Sequence, residues 1–222
     1  MSRYLWLIRH GESQGNLERR VQGWADYPLT DVGRRQAARL AERLAQEGLM
    51  LELVASPLQR AAETAQIIGR ALDLPVRFDV RLKEYNFGPL NGLTPDDIVA
   101  RFPTVQAAWE VNQVWTPLAG EEGDPTFVRR VRAVMDEIVA GIDEGANVAV
   151  VAHGGSLDAC LRSWLGIAPS SPLGNAQHVR RAFAFDNASV SLVRIRAGSY
   201  RVLLLNDTCH LRGANEDWRN DR

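Results

Sequence analysis

Two short apolar runs in this sequence each end in histidine followed by glycine. Leu5-Trp6-Leu7-Ile8 leads into Arg9-His10-Gly11, and Val150-Val151-Ala152 leads into His153-Gly154-Gly155. A buried strand reads as a continuous apolar run, and in open α/β sheets ligands bind beyond the carboxyl ends of such strands. If the two strands are neighbours, the two imidazoles meet at one edge. Gly11, Gly154 and Gly155 let backbone N–H groups approach an anion. The helix expected after His153 presents its N-terminus to the same place. Arg9 and Arg60 add planar donor forks that match phosphate oxygens. Arg60 falls in the first turn of an expected helix, where a cation opposes the helix dipole, and a broken local rule often marks a working site. Together these residues describe a pocket for a phosphoryl group assembled from histidine, arginine and backbone.

The elements that must position them follow from periodicity. Tyr4 to Ile8 is the first strand. Thr30 is an N-cap for a helix over Asp31 to Glu47, with Ala37, Leu40, Ala41 and Leu44 on one face and Gly48 placed to end it. Leu51 to Ala55 is a second strand. Ser56-Pro57 opens a helix with Ala61, Ala65, Ile68 and Leu72 on its inner face, and Pro75 to Asp79 is a short strand. Residues 81 to 122 are the least regular stretch, an excursion rich in proline and glycine with a short capped helix from Thr94. Pro125 to Ile142 is a helix whose face is Val128, Val131, Met135, Ile138 and Ile142. Asn147 to Ala152 is the clearest buried strand, and a helix runs from His153 to about Leu165. Val190 to Ile195 and Tyr200 to Leu205 form a strand pair turned at Ala197-Gly198, and the segment 206–222 reads as a loosely held polar tail. The alternation predicts an α/β fold: a three-layer α/β/α sandwich with a central, mostly parallel sheet, in a single domain over 1–222.

Composition sets the outer bounds. The chain has 222 residues, 26 Lys plus Arg against 27 Asp plus Glu, and a formal net charge of −1, so no global field favours nucleic acid or an anionic membrane. Two cysteines, Cys160 and Cys209, cannot staple a fold of this size and form no metal-binding pattern. The apolar start is too short for a signal segment and no run is long enough to span a bilayer, so a cytoplasmic location is expected. No nucleic-acid or membrane partner and no metal or cofactor is expected. His178 and His210 have no partner pattern and read as structural or exposed. Trp24, Tyr85, Trp109 and Trp115 fit a core better than a pocket.

Arg9-His10-Gly11-Glu12-Ser13, Asn16, Gln22-Gly23, Pro28-Leu29-Thr30 with Gly33, Ser56-Pro57 with Arg60 and Thr64, Glu84 with Gly88, and His153-Gly154 occur in an ordered series. On these residues the chain resembles the histidine phosphatase superfamily, the phosphoglycerate-mutase-like family, over roughly residues 4–205. The resemblance implies that His10 is the nucleophile that becomes phosphohistidine, with Arg9, Arg60 and His153 holding the phosphoryl oxygens. It implies that Glu84 protonates the leaving alkoxide and then activates water, an anionic substrate beside it favouring its protonated form. Asn16, Gln22, Gly23, Gly11 and Gly154 would contact substrate, while Glu12 sits at the pocket edge as a structural group. The substrate class implied is a small phosphorylated metabolite, and a homodimer is implied by family analogy alone.

Two other activities share this resemblance. Cofactor-dependent phosphoglycerate mutases typically carry Glu-Arg-His-Tyr-Gly where this chain has Glu84-Tyr85-Asn86-Phe87-Gly88, so the basic groups for a second anion are missing here. Non-catalytic binding modules usually lack the nucleophile or an arginine, and this chain keeps both. The phosphatase branch is therefore the expected one.

Overall fold

The computed structural model describes residues 2–47, 52–105, 107, 118–167 and 182–212. Six strands form one sheet: β1 (Arg3–Arg9), β2 (Glu52–Ala55), β3 (Val76–Phe78), β4 (Asn147–Ala152), β5 (Val190–Arg196) and β6 (Ser199–Asp207). Their order across the sheet is β3-β2-β4-β1-β5-β6. β3, β2, β4 and β1 run parallel, and β5 is antiparallel to both of its neighbours. The sheet is thus mostly parallel, as expected.

Both faces of the sheet are covered. Side chains alternate along a strand, so Leu5 and Leu7 join Val148, Val150 and Ala152 on one side while Trp6 and Ile8 join Leu53, Ala55 and Val151 on the other. The first face packs under α5 (Asp124–Gly141) and α6 (Gly154–Leu165), through Val131, Met135, Ile138, Leu157 and Leu161. The second packs under α2 (Asp31–Glu47) and α3 (Gln59–Leu72), through Leu40, Leu44, Ala61, Ala65 and Ile68. Burial of each large aliphatic side chain contributes about 1.5–3 kcal/mol, and these two clusters make the middle layer rigid.

Local chemistry sets the element ends. Downstream of the one-turn α1 (Gln14–Leu17), Thr30 Oγ1 accepts the Gly33 N–H at 3.0 Å and caps α2. A capping box between Thr94 and Asp97 starts α4 (Pro95–Arg101). Ala197 and Gly198 have φ of 49° and 75°, the left-handed pair that a two-residue β-hairpin requires.

Two expectations change. α3 begins at Gln59 rather than at Ser56-Pro57. Its first turn is capped from outside by Asp26, whose Oδ1 accepts the Gln59 N–H at 2.6 Å, while the Ser56 hydroxyl accepts the Leu58 N–H just before the helix at 3.3 Å. The loosely held tail expected from Asn206 is not found over residues 206–212. Asn206 and Asp207 complete β6, Asp207 pairs with Arg43 at 2.7 Å, and Leu211 is buried in the cluster under α2. One apolar residue and one ion pair dock this segment through Leu211. Gly48, Leu51, Trp109, Trp115, Pro117 and His178 lie outside the described residues. Among the described residues no helix is long and apolar enough to cross a membrane.

Candidate active site

β2, β4 and β1 are adjacent and parallel, so their carboxyl ends reach one edge together. Arg9 is level with Ala152, and Ala55 with Val151. The His10 N–H donates to the Ala152 carbonyl at 3.1 Å and the Ser56 N–H to the Val151 carbonyl at 3.0 Å. That registry places His10, Ser56 and His153 side by side. The His10 and His153 ring centroids are 5.3 Å apart, with the planes at 60°.

His10 is buried, and its Nδ1 lies 2.7 Å from the Gly11 carbonyl oxygen. A carbonyl can only accept, so Nδ1 carries the proton and Nε2 keeps its lone pair. Burial holds the His10 pKa well below the usual imidazole value, and the charges of Arg60 and Arg9 push it further down. The ring is therefore neutral at neutral pH. The same burial, with Arg60 the leading charge, depresses His153. His153 Nε2 pairs with Ser56 Oγ at 2.7 Å.

A cavity of about 260 Å³ opens at this edge, lined by Arg9, His10, Asn16, Arg20, Val21, Gln22, Gly23, Arg60, Glu84, Phe87 and Gly154. Arg60 is 1% exposed, and donates from Nη2 to the Gly23 carbonyl at 2.8 Å and from Nη1 to the Ala25 carbonyl at 3.0 Å. Burial lowers its pKa to about 10, opposed by the Glu84 charge, so it stays cationic. Arg9 donates from Nη1 to the Phe185 carbonyl. Glu84 is anchored through both oxygens: Oε2 accepts the Gly155 N–H and Oε1 accepts the Tyr85 N–H, each at 2.9 Å. Among the described residues Arg60 Nε, His153 Nδ1 and Asn187 Oδ1 are buried without a hydrogen-bond partner. A buried polar atom left so is costly, and a polar ligand would satisfy it.

Nine of the ten residues singled out for substrate or catalysis converge here. Arg9, His10, Asn16, Gln22, Gly23, Arg60, Glu84 and Gly154 line the cavity, and the His153 ring lies 5.3 Å from that of His10. Gly11 does not line it. Its N–H is bound to Thr64 Oγ1 at 3.1 Å, and a methyl group there would lie 2.6 Å from the Gly33 carbonyl oxygen. Gly11 is small for packing reasons. Gly155 likewise leaves room for the Glu84 carboxylate rather than for a bound ligand. Glu12 accepts from the Thr30 hydroxyl at 2.6 Å, a structural contact as expected. Tyr85 is core, but Trp24 is 40% exposed and donates its indole N–H to the Glu84 carbonyl at 2.7 Å. His210 is structural: its Nε2 meets the Ala188 carbonyl at 3.0 Å.

Sequence reasoning missed Ser56 as the partner of His153, Arg20 as a cation at the cavity, and Asn187. The Asn187 side-chain amide donates to the His10 carbonyl at 3.2 Å and to Asn16 Oδ1 at 3.1 Å. Ser56 stood directly after an apolar run, the same position as the two histidines, and that signal could have found it. Asn187 carries no local signal.

The model of the histidine phosphatase superfamily (branch 1) matches residues 5–208. This chain belongs to the histidine phosphatase superfamily. Within it, the protein of Mycobacterium tuberculosis called bifunctional protein Rv2228c is 37% identical over 208 residues, covering 93% of this chain and 54% of that protein. The chain thus spans about half the length of the first curated relatives it matches. Glucosyl-3-phosphoglycerate phosphatase of Mycolicibacterium vanbaalenii is 34% identical over 190 residues, covering 81% of this chain and 84% of that protein. Among solved structures, Bacillus stearothermophilus YhfR superimposes with a TM-score of 0.81 at 30% identity, covering 94% of this chain and 99% of that one. The histidine phosphatase fold is therefore common to this chain and its solved neighbours.

Proposed function

We propose that the chain is a metal-independent phosphomonoesterase that acts on small phosphorylated metabolites through a phosphohistidine at His10. One observation carries the reading: a buried, neutral His10 has its Nδ1 proton committed to the Gly11 carbonyl and shares a cavity with the guanidinium groups of Arg9, Arg20 and Arg60. A neutral imidazole with a free Nε2 lone pair is a nucleophile, and fixed cations offset charge on a loose phosphoryl transition state.

In the first step the Nε2 lone pair forms the P–N bond as the P–O bond to the leaving group breaks. Glu84 gives its proton to the departing oxygen, which leaves as an alcohol. In the second step the Glu84 carboxylate takes a proton from water as that water attacks phosphorus. The P–N bond breaks, its electron pair returns to Nε2, and inorganic phosphate leaves. Arg9, Arg60 and His153 would hold the equatorial oxygens, and Asn16, Gln22, Gly23 and Gly154 the rest of the bound group.

Water rather than a second substrate as acceptor fits the segment after Glu84. Tyr85 and Asn86 are uncharged and do not line the cavity, their side chains accepting the Gly123 and Gly88 N–H groups, and the Arg20 guanidinium at the cavity is paired with Glu18. Relatives called glucosyl-3-phosphoglycerate phosphatases support a small phosphorylated substrate. A match of one family over residues 5–208 supports a single domain, and two free cysteines fit a cytoplasmic location.

The test is phosphate release from p-nitrophenyl phosphate in EDTA by wild type and His10→Ala. Turnover in wild type that is abolished in the variant, with acid-labile label trapped on wild type from a labelled phosphomonoester, is the expected result. Absence of release from folded wild type refutes the proposal.

A further inference from the structure

The segment that carries Glu84 is held from behind by one side chain. Arg130 projects from α5 and spends all five of its N–H donors on this task. Nη1 donates to the Arg81 carbonyl at 2.8 Å and to the Lys83 carbonyl at 2.7 Å. Nη2 donates to the Glu84 carbonyl and to Glu122 Oε2, both at 2.8 Å, and Nε donates to Glu122 Oε1. Glu122 extends the clamp: its N–H donates to the Asn86 carbonyl at 3.0 Å, and its Oε2 accepts the Asn86 N–H at 3.3 Å. Residues 81 to 86 are therefore gripped on both sides of Glu84. The pair is well buried, at 17% side-chain exposure for Arg130 and 8% for Glu122, and the guanidinium lies 4.9 Å from the Phe127 ring centroid.

Arg130 does not line the cavity. It touches the main chain of the residue read as the proton donor. A donor must sit within hydrogen-bond reach of the atom it protonates, and a displacement near 1 Å costs catalysis heavily. We propose that Arg130, locked to Glu122, is a positioning residue that sets the Glu84 carboxyl for proton transfer to the leaving oxygen. The inference rests on Glu84 being the acid of the reaction above.

A leaving-group comparison tests it. p-Nitrophenolate departs with little help from an acid, whereas an alkoxide needs its proton. The quantity to read is kcat/KM, which ends at loss of the leaving group and excludes hydrolysis of the phosphohistidine. The substrates are p-nitrophenyl phosphate and glycerol 2-phosphate, and the variants are Glu84→Gln, Arg130→Gln and Arg130→Lys. In Arg130→Gln, glycerol 2-phosphate turnover should fall about 30-fold, part of the 10²–10⁴ that a general acid supplies, and p-nitrophenyl phosphate turnover only about threefold. Glu84→Gln should show the same selectivity, larger. Arg130→Lys keeps the charge without the fork and should recover part of the alkyl activity.

Parallel loss on both substrates in Arg130→Gln, or no loss on either, overturns the proposal if Glu84→Gln is selective. Parallel loss in Glu84→Gln refutes the general-acid reading itself, and the positioning role falls with it. If Arg130→Gln does not fold, Arg130→Lys decides: selective loss supports the proposal, and parallel or absent loss overturns it.

Discussion

Replacing Gly155 with alanine should cost activity without costing stability. Gly155 is the second residue of α6, and its N–H holds Glu84 Oε2. A methyl group built there would lie 2.9 Å from Glu84 Cδ and closer still to Oε1. Ordinary contact begins near 3.5 Å, so the carboxylate must retreat by about 1 Å. The obstacle is the tip of a flexible side chain rather than backbone, so it can give way. Alanine in a helix is favoured over glycine by about 0.5–1 kcal/mol, which offsets the strain. The catalytic cost is different: a displacement near 1 Å corresponds to about 100-fold in rate. The assay is kcat/KM for glycerol 2-phosphate alongside thermal unfolding. A fall of about 100-fold at an unchanged or slightly raised Tm is expected. Activity within threefold of wild type at the same Tm refutes the argument that the position of Glu84 matters to the reaction.

Gly11→Ala should do the reverse. Its methyl group meets the Gly33 carbonyl oxygen at 2.6 Å and carbon at 3.1 Å, and backbone cannot rotate away. A loss of about 1–3 kcal/mol is expected in urea unfolding, and an unchanged midpoint refutes the packing account. Arg60→Met removes a preorganised cation, and kcat/KM should fall at least about 100-fold. Inorganic phosphate should raise the wild-type Tm and leave that of the variant unmoved; an equal rise in both rules out Arg60 as a phosphate ligand. His10 and His153 have pKa values pushed well below the unfolded value of 6.5, first by burial. The unfolded chain therefore takes up protons first, so their stability contribution is full above pH 6.5 and is lost as pH falls below it. The slope approaches about 1.4 kcal/mol per pH unit for each histidine. Urea unfolding from pH 7.5 to 5.5 reads it, and a flat profile contradicts the burial of neutral rings.

Much of this was legible because local rules and tertiary demands agree. The run from Asn147 to Ala152 is apolar because it is covered on both faces, and it is β4 to the residue. Thr30 caps α2 and Thr94 caps α4 because a hydroxyl beside a helix start has a backbone N–H within reach. Where reading failed, a side chain served a distant partner. Ser56 stands two residues before the N-cap of α3, and its hydroxyl pairs with His153 across the strand ends as well as with the Leu58 N–H. Gly11 and Gly155 announce that space is needed, but not whether an anion, the Gly33 backbone or the Glu84 carboxylate fills it. Arg130 sits on a polar stretch of α5 where periodicity predicts a solvated charge, and nothing nearby in sequence reveals that carbonyls some 46 to 49 residues away need its donors.

The sheet order has a consequence for how the chain becomes active. β1 comes early in the sequence yet pairs with β4 and β5, which begin at residues 147 and 190. The Ala188 N–H also binds the His10 carbonyl, at 3.0 Å. During synthesis at about 5–20 residues per second, Leu5 to Ile8 wait roughly ten seconds or more for their neighbours. Throughout that time they are an unpaired apolar strand of the kind that invites aggregation. Pairings of such long range also make folding slow. A nascent chain that stops short of Asn187 and Ala188 lacks both donors to the His10 carbonyl, so the imidazole proposed as the nucleophile is fully held only when nearly all the sheet has been made. On the proposed mechanism half-made chains hold no fully set imidazole, and the appearance of activity during translation would mark the arrival of β5.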